Sequence, residues 1–295
     1  MIGISDIYRK VSHVVDDPVL RRWLLLRILG KVDGNGARAR HTPAYLSARM
    51  VPGGASLGVE VSTAKVPGPS DEIHLDLAGT DLTLSPGDEE AFVSRTFTDK
   101  ETQLAMHRFS WLPLSDSGQK FEWANAIWRS WVARHGSREG WAWHPYTVAE
   151  RLINLFLAAH DANRAGPELA DAGWIFKHGE EILAGLEYYG EGQTGNHLAN
   201  NGRGLYLAGL AYGVQSWVDA GEVILLEHAQ SIFLDSGALR EGSTHYHLLV
   251  CHWYLECWLA AERHGRPAAG NFQAFCSTAL EALSSFTMAA GVRMD

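Results

Sequence analysis

Cysteine is scarce. The three present, Cys251, Cys257 and Cys276, include no CxxC pair, which excludes a disulfide framework and a zinc finger. All three lie in apolar helical surroundings and read as buried reduced thiols. Positive charge is also in deficit. The formal net charge is -9, which disfavours nonspecific nucleic-acid binding, although Arg9, Lys10, Arg21, Arg22, Arg27, Lys31, Arg38, Arg40 and Arg49 make the N-terminal region locally basic. The opening MIGISDIYRKVSHVVDD has acidic residues where a signal peptide needs an unbroken apolar stretch, so the default expectation is a cytoplasmic chain. PVLRRWLLLRILGKV is interrupted by arginines and too short to span a bilayer. It fits a basic amphipathic helix, docked on the domain in preference to a membrane surface. There is no strict repeat, which leaves the named solenoid families unsupported.

What is present describes an ordinary globular protein with a full core: 46% hydrophobic and 20% charged residues. Tryptophan and histidine are abundant, at 11 and 14. Indoles serve helix packing, and they also stack on the apolar faces of sugars. Between Ser56 and Asp99, LGVEVSTAKV, EIHLDLAG, DLTLS and AFVSRTFTD alternate apolar and polar residues between turn formers, the pattern of short strands. Helical periodicity dominates afterwards, over Phe121–Arg134, Tyr146–Asn163, Leu169–Tyr189, Asn196–Trp217, Gly221–Leu234, Thr244–His264 and Phe272–Ala290. Three regions follow: a basic helical stretch over residues 1–55, a β-rich segment over 56–106, and helical hairpins over 107–295. The wide apolar faces of those helices fit a layered or circular α/α arrangement better than a two-layer bundle.

Two stretches carry chemistry. GNHLANNGRGLYLAGLAYG, Gly195–Gly213, makes a sided helix. Leu198, Leu205, Gly209 and Tyr212 share one face; Asn196, Asn200 and Arg203 share the other, with His197 beside Asn201 on a flank. An N-cap and a solvated face would account for the polar side. Yet Ala199, Gly202, Gly204, Ala208, Ala211 and Gly213 imply close packing nearly all round, which favours a polar face turned toward a cleft. SGALREGSTHYHLLV, Ser236–Val250, is a glycine-rich turn leading into a helix capped by Ser243 or Thr244. Its first turn gathers His245, Tyr246 and His247 near Arg240 and Glu241, where free N–H groups favour an anion. A metal site from His245, His247, Cys251 and His252 fits poorly, because His-x-His on a helix sets the rings about 200° apart. Proton transfer, anion binding and plain packing remain as readings of the cluster.

Together these stretches resemble the heparinase II/III-like polysaccharide lyases, in which an Asn-His pair opens a helix rich in Leu, Ala and Gly, and a later glycine-rich turn precedes Glu, Ser and a Tyr-His pair. HRFSWL, His107–Leu112, and WHPYTVAERLINL, Trp143–Leu155, are similar to upstream segments of the same family. The resemblance covers roughly His107 to Ala290. It implies a mainly α fold, an incomplete (α/α) toroid with a small β-rich segment, and an activity as a carbon–oxygen lyase. Such enzymes cleave acidic polysaccharides or oligosaccharides by β-elimination at a uronic acid. The uronate carboxylate must be neutralised by donors, a base must take the adjacent proton, and an acid must protonate the departing oxygen. Carried over by motif, Asn196 and His197 hold the carboxylate, His197 with a possible proton-transfer role, and Tyr246 is the acid, and also the base where the stereochemistry puts both protons on one side. Asn200, Arg203, Arg240 and His247 are geometric candidates for substrate contacts, and Glu241 is expected to orient Arg240 or a backbone group. No metal or cofactor is expected. The family is usually exported and continues into a β-sandwich domain, which this sequence, stopping at FTMAAGVRMD, is expected to lack. A non-catalytic module binding a glycan or a protein is a second reading. A glycoside hydrolase is a third, but only Asp235 and Glu241 offer its two carboxyl groups.

Overall fold

The computed structural model describes residues 18–30, 42–47, 58, 66–137, 140–161, 172–190 and 194–286. Within them the order is α1 (Pro18–Ile28), α2 (Ala44–Ser47), β1 (Ile73–Asp76), β2 (Asp81–Leu84), α3 (Glu89–Val93), α4 (Lys100–Arg108) and α5 (Lys120–His135). A 3-10 turn (Gly140–Trp143) leads on to α6 (Pro145–Asp161), α7 (Ala172–Ala184), α8 (Asn196–Tyr212), α9 (Gln215–Ile232), α10 (Thr244–Arg263) and α11 (Ala269–Ser285). The protein is mainly helical. No helix among the described residues is long and apolar enough to cross a membrane.

EIHLDLAG and DLTLS form one antiparallel hairpin, with Ile73 opposite Leu84 and Asp76 opposite Asp81. Ala78 and Gly79 both take positive φ, the two-residue turn whose twist matches that of the strands. AFVSRTFTD departs from its strand reading, since its first residues belong to α3. Adjacent Phe92 and Val93 are both buried, which does not fit a strand with one face in solvent. Ser85, Gly87 and Asp88 make the preceding turn, and Glu89 and Glu90 suit a helix start. LGVEVSTAKV lies outside the described residues except for Gly58 and Val66.

The sequence reading of one helix from Asn196 to Trp217 is corrected. α8 stops at Tyr212, Gly213 turns left-handed at φ 68°, and the Val214 N–H reaches back to the Gly209 carbonyl. α9 then starts at Gln215, not at Gly221. Gly221 lies inside α9, where a Cβ would stand 2.5 Å from the Tyr206 nitrogen and 2.6 Å from the Gly202 oxygen. Glycine there permits backbone contact between two helices; it does not end one.

The chain divides into two compact units. The first comprises residues 1–53, 185–206 and 219–295; the second comprises residues 54–184 and 207–218. At the heart of the second unit lies Arg151, fully buried. Its Nε donates to His178 Nε2 at 3.0 Å, and its Nη1 donates to the carbonyls of His107 and Ala142, each at 2.9 Å. Its guanidinium lies 3.9 Å above the Trp131 ring, so an aromatic face and carbonyls serve where a carboxylate usually would. Trp131 Nε1 donates to His107 Nδ1, and Asn154 ties α6 to the Arg108 carbonyl. HRFSWL and WHPYTVAERLINL are therefore bound to each other as core. Most of the tryptophans serve the same purpose; Trp141 is an exposed one.

Candidate functional site

All the candidate residues lie in the first unit. The start of α8 is held at three successive residues. Arg240 donates to the Thr194 carbonyl, His228 Nε2 lies 2.9 Å from the Gly195 carbonyl, and the Asn196 N–H donates to Glu241 Oε1 at 2.8 Å. Asn196 Nδ2 also lies 3.4 Å from Glu241 Oε2. A carboxylate at a helix N-terminus satisfies a donor that has no partner within the helix and sits favourably against the macrodipole. These contacts join the two stretches singled out in the sequence across 45 residues of chain. Burial pushes the His228 imidazole down to about 4, so it stays neutral while it holds this carbonyl.

His197 follows Asn196 and projects outward, with 52% of its side chain exposed. Its Nδ1 lies 2.7 Å from Oε1 of Glu187, whose side chain is 1% exposed. Glu187 is clamped in turn by Asn201, one helical turn after His197. Asn201 Oδ1 accepts the Glu187 N–H at 3.0 Å, and its Nδ2 donates to Glu187 Oε2 at 3.3 Å.

Asn200 and Arg203 are buried, not turned to water. Arg203 Nε donates to Glu256 Oε2 at 2.6 Å and Nη1 to Asn200 Oδ1 at 3.3 Å, while Trp253 lies 5.5 Å beneath the guanidinium. Burial pushes the Glu256 carboxyl up, but His252 at 3.1 Å and Arg203 outweigh it and hold the group below its ordinary value. The expected polar face on α8 is present, but Arg203 and Asn200 spend their hydrogen bonds inside the protein. The Arg203–Glu256 contact holds α8 to α10.

α10 begins as expected. Ser243 caps it by accepting the Tyr246 N–H at 3.3 Å, and His245 and Tyr246 stand exposed on its first turn with ring centroids 5.6 Å apart. His247 turns inward. Its Nδ1 accepts the Leu239 N–H at 3.1 Å, and its Nε2 lies 2.9 Å from the Ala279 carbonyl. With both ring nitrogens engaged at 1% exposure, His247 braces the turn before α10. Glu241 engages a backbone group, the Asn196 N–H.

The exposed members of the constellation are therefore His197, Glu241, His245 and Tyr246, with Arg240 half-buried and Asn196 tied to Glu241. Sequence reasoning missed Glu187, Glu256 and His228. Each meets its partner across a turn or a helix pair, and neither helical periodicity nor a local motif signals such a pairing.

No family model matches the chain, and no curated protein matches it either. Solved structures do. A mutant of the heparan sulfate lyase HepC from Pedobacter heparinus superposes with a TM-score of 0.53 at 14% identity, covering 93% of this chain and 47% of that one. A heparinase III structure gives 0.51 at 16% identity, covering 92% and 46%. The fold is heparinase-like, and the chain spans under half the length of these proteins.

Proposed function

We propose that this chain is the helical portion of a polysaccharide lyase that cleaves a uronic-acid-containing anionic glycan by β-elimination. One observation carries the reading above all. The hydrogen bonds from Asn196 to Glu241 bring the Asn-His helix start and the turn before Tyr246 together, and both His197 and Tyr246 remain open to solvent. The heparinase-like fold is consistent with it.

The chemistry follows from the groups available. A uronate carboxylate resists loss of the neighbouring proton until hydrogen-bond donors spread its charge. Asn196, whose amide carries two N–H groups, is the nearest donor, with Arg240, which holds the Thr194 carbonyl, a further cation at the same helix start. His197 Nε2 takes the proton from the carbon, the C–H electron pair becomes the new double bond, and the glycosidic C–O bond breaks. Tyr246 gives its phenolic proton to the departing oxygen. Arg203, Asn200 and His247 act behind this layer by fixing the two helices.

The test is a panel of uronate polymers, including heparan sulfate, assayed for the near-ultraviolet absorbance of an unsaturated product. Wild-type protein is expected to produce it from at least one polymer. Tyr246→Phe is expected to lose about 10³-fold in rate, as removal of a positioned acid does, with melting temperature unchanged. Tyr246→Phe turning over at the wild-type rate removes the tyrosine from the mechanism. Binding of a polymer by wild type with no unsaturated product favours the non-catalytic module instead.

A further inference from the structure

We propose that Glu187 is a positioning residue for His197: it fixes the ring's tautomer and direction so that Nε2 faces the substrate as the proton-accepting nitrogen. This rests on the lyase reading above, although the pairing itself does not. A carboxylate only accepts hydrogen bonds, so at 2.7 Å the Nδ1 position of His197 carries the hydrogen. In the neutral ring that leaves the lone pair on Nε2.

The arrangement is costly to hold, which argues for a use. Taking a carboxylate out of water costs several kcal/mol unless donors replace the lost hydration. Carboxylates out of water usually pair with cations, as the partly buried Glu256 does with Arg203. Glu187 is 1% exposed, yet it points at a ring with 52% of its surface in solvent. Its clamp is two-sided, for Asn201 accepts from the Glu187 backbone and donates to its carboxylate, and Asn201 is itself fully buried. His197 and Asn201 stand one turn apart on α8, so both ends of the pair are set by one rigid element. Among the described residues, Arg240 and Glu241 hold the backbone at Thr194 and Asn196, His228 holds it at Gly195, and Arg203 pairs with Glu256.

In the elimination step the proton passes from the substrate carbon to His197 Nε2. The Nδ1 hydrogen stays with Glu187, whose charge offsets the imidazolium as it forms. The released electron pair makes the double bond, and the leaving oxygen takes the Tyr246 proton.

The experiment compares the full chain with Glu187→Gln and Glu187→Asp. The His197 tautomer is read by ¹⁵N NMR at about pH 8.5, where an ordinary imidazole is neutral. Turnover is measured on a uronate polymer that the wild type cleaves. Wild type is expected to show the Nδ1–H tautomer, and Glu187→Gln a mixture. Glu187→Gln is also expected to lose about 10²-fold or more in kcat, with KM changed by less than about twofold. Glu187→Asp, which keeps the charge, is expected to recover part of both, and it decides the matter if the Gln variant fails to fold. An Nε2–H tautomer in wild type overturns the proposal, and so does a folded Gln variant with unchanged tautomer and kcat. Absence of unsaturated product from every polymer overturns the lyase reading, while the tautomer measurement still decides the role of Glu187.

Discussion

Cutting the Arg203–Glu256 pair from one side tests whether that arginine belongs to the scaffold. Arg203 is 4% exposed, and Glu256 keeps 20% of its side chain in water. Glu256→Ala removes the carboxylate from the guanidinium and keeps Asn200 Oδ1 at 3.3 Å and the Trp253 face at 5.5 Å among its contacts. Breaking a buried pair this way costs about 3–5 kcal/mol. The partial access of Glu256 and the surviving Asn200 contact place the expectation at the low end, about 3 kcal/mol. Removing both charges, as Arg203→Met with Glu256→Leu, leaves no stranded ion and is expected to fall within about 1 kcal/mol of wild type. The coupling between the sites is then about 2 kcal/mol or more. Urea unfolding followed by far-ultraviolet circular dichroism gives the free energies, and hydrogen exchange in peptides from α8 and α10 shows whether the loss falls there. A loss below about 1 kcal/mol for Glu256→Ala, or strictly additive single losses, refutes the reasoning. Elimination retained by the double variant agrees with a guanidinium that never touches substrate.

Gly221→Ala removes a helix-interior glycine, worth about 1 kcal/mol of gain on propensity alone. The Cβ would stand 2.5–2.6 Å from α8 backbone atoms, however, so a net loss of about 2 kcal/mol or more is expected in urea unfolding. Acid is expected to destabilise both units. His107, lowered to about 3 by burial and then by His135 and Arg151, and His228, lowered to about 4, stay neutral when folded. Unfolded imidazoles take up protons near 6.5, so this stability is complete above that pH and declines steadily below it. His107→Gln is expected to flatten the decline for the second unit, and an unchanged pH profile of hydrogen exchange in α4 and α6 would count against it.

The sequence's polar opening of α8 and the capped start of α10 were legible because each is a local matter. A cap needs Ser243 three residues before Tyr246, and sidedness needs only helical spacing. What was not legible was which polar residues face inward. Asn200 and Arg203 looked like a free face because nothing near them in the chain offers a carboxylate; Glu256 lies 53 residues away. Gly221 reads as the start of a helix because a glycine at a helix boundary and one inside a helix look alike until the neighbouring backbone is known. AFVSRTFTD failed for a related reason, its alternation being too short to outweigh a turn and two glutamates at a helix start.

The aromatic core has an optical consequence. Eight of the eleven tryptophans fall in the second unit, so intrinsic fluorescence reports mainly on that unit and is a poor witness to damage around α8 and α10. Trp128 and Trp131 lie 5.4 Å apart with planes inclined by 7°. Chromophores that close and that nearly parallel couple their transitions, giving an ultraviolet dichroism signature that vanishes when α5 unwinds. The chain thus carries its own reporter for one unit, while changes at His197 and Tyr246 need a probe placed elsewhere.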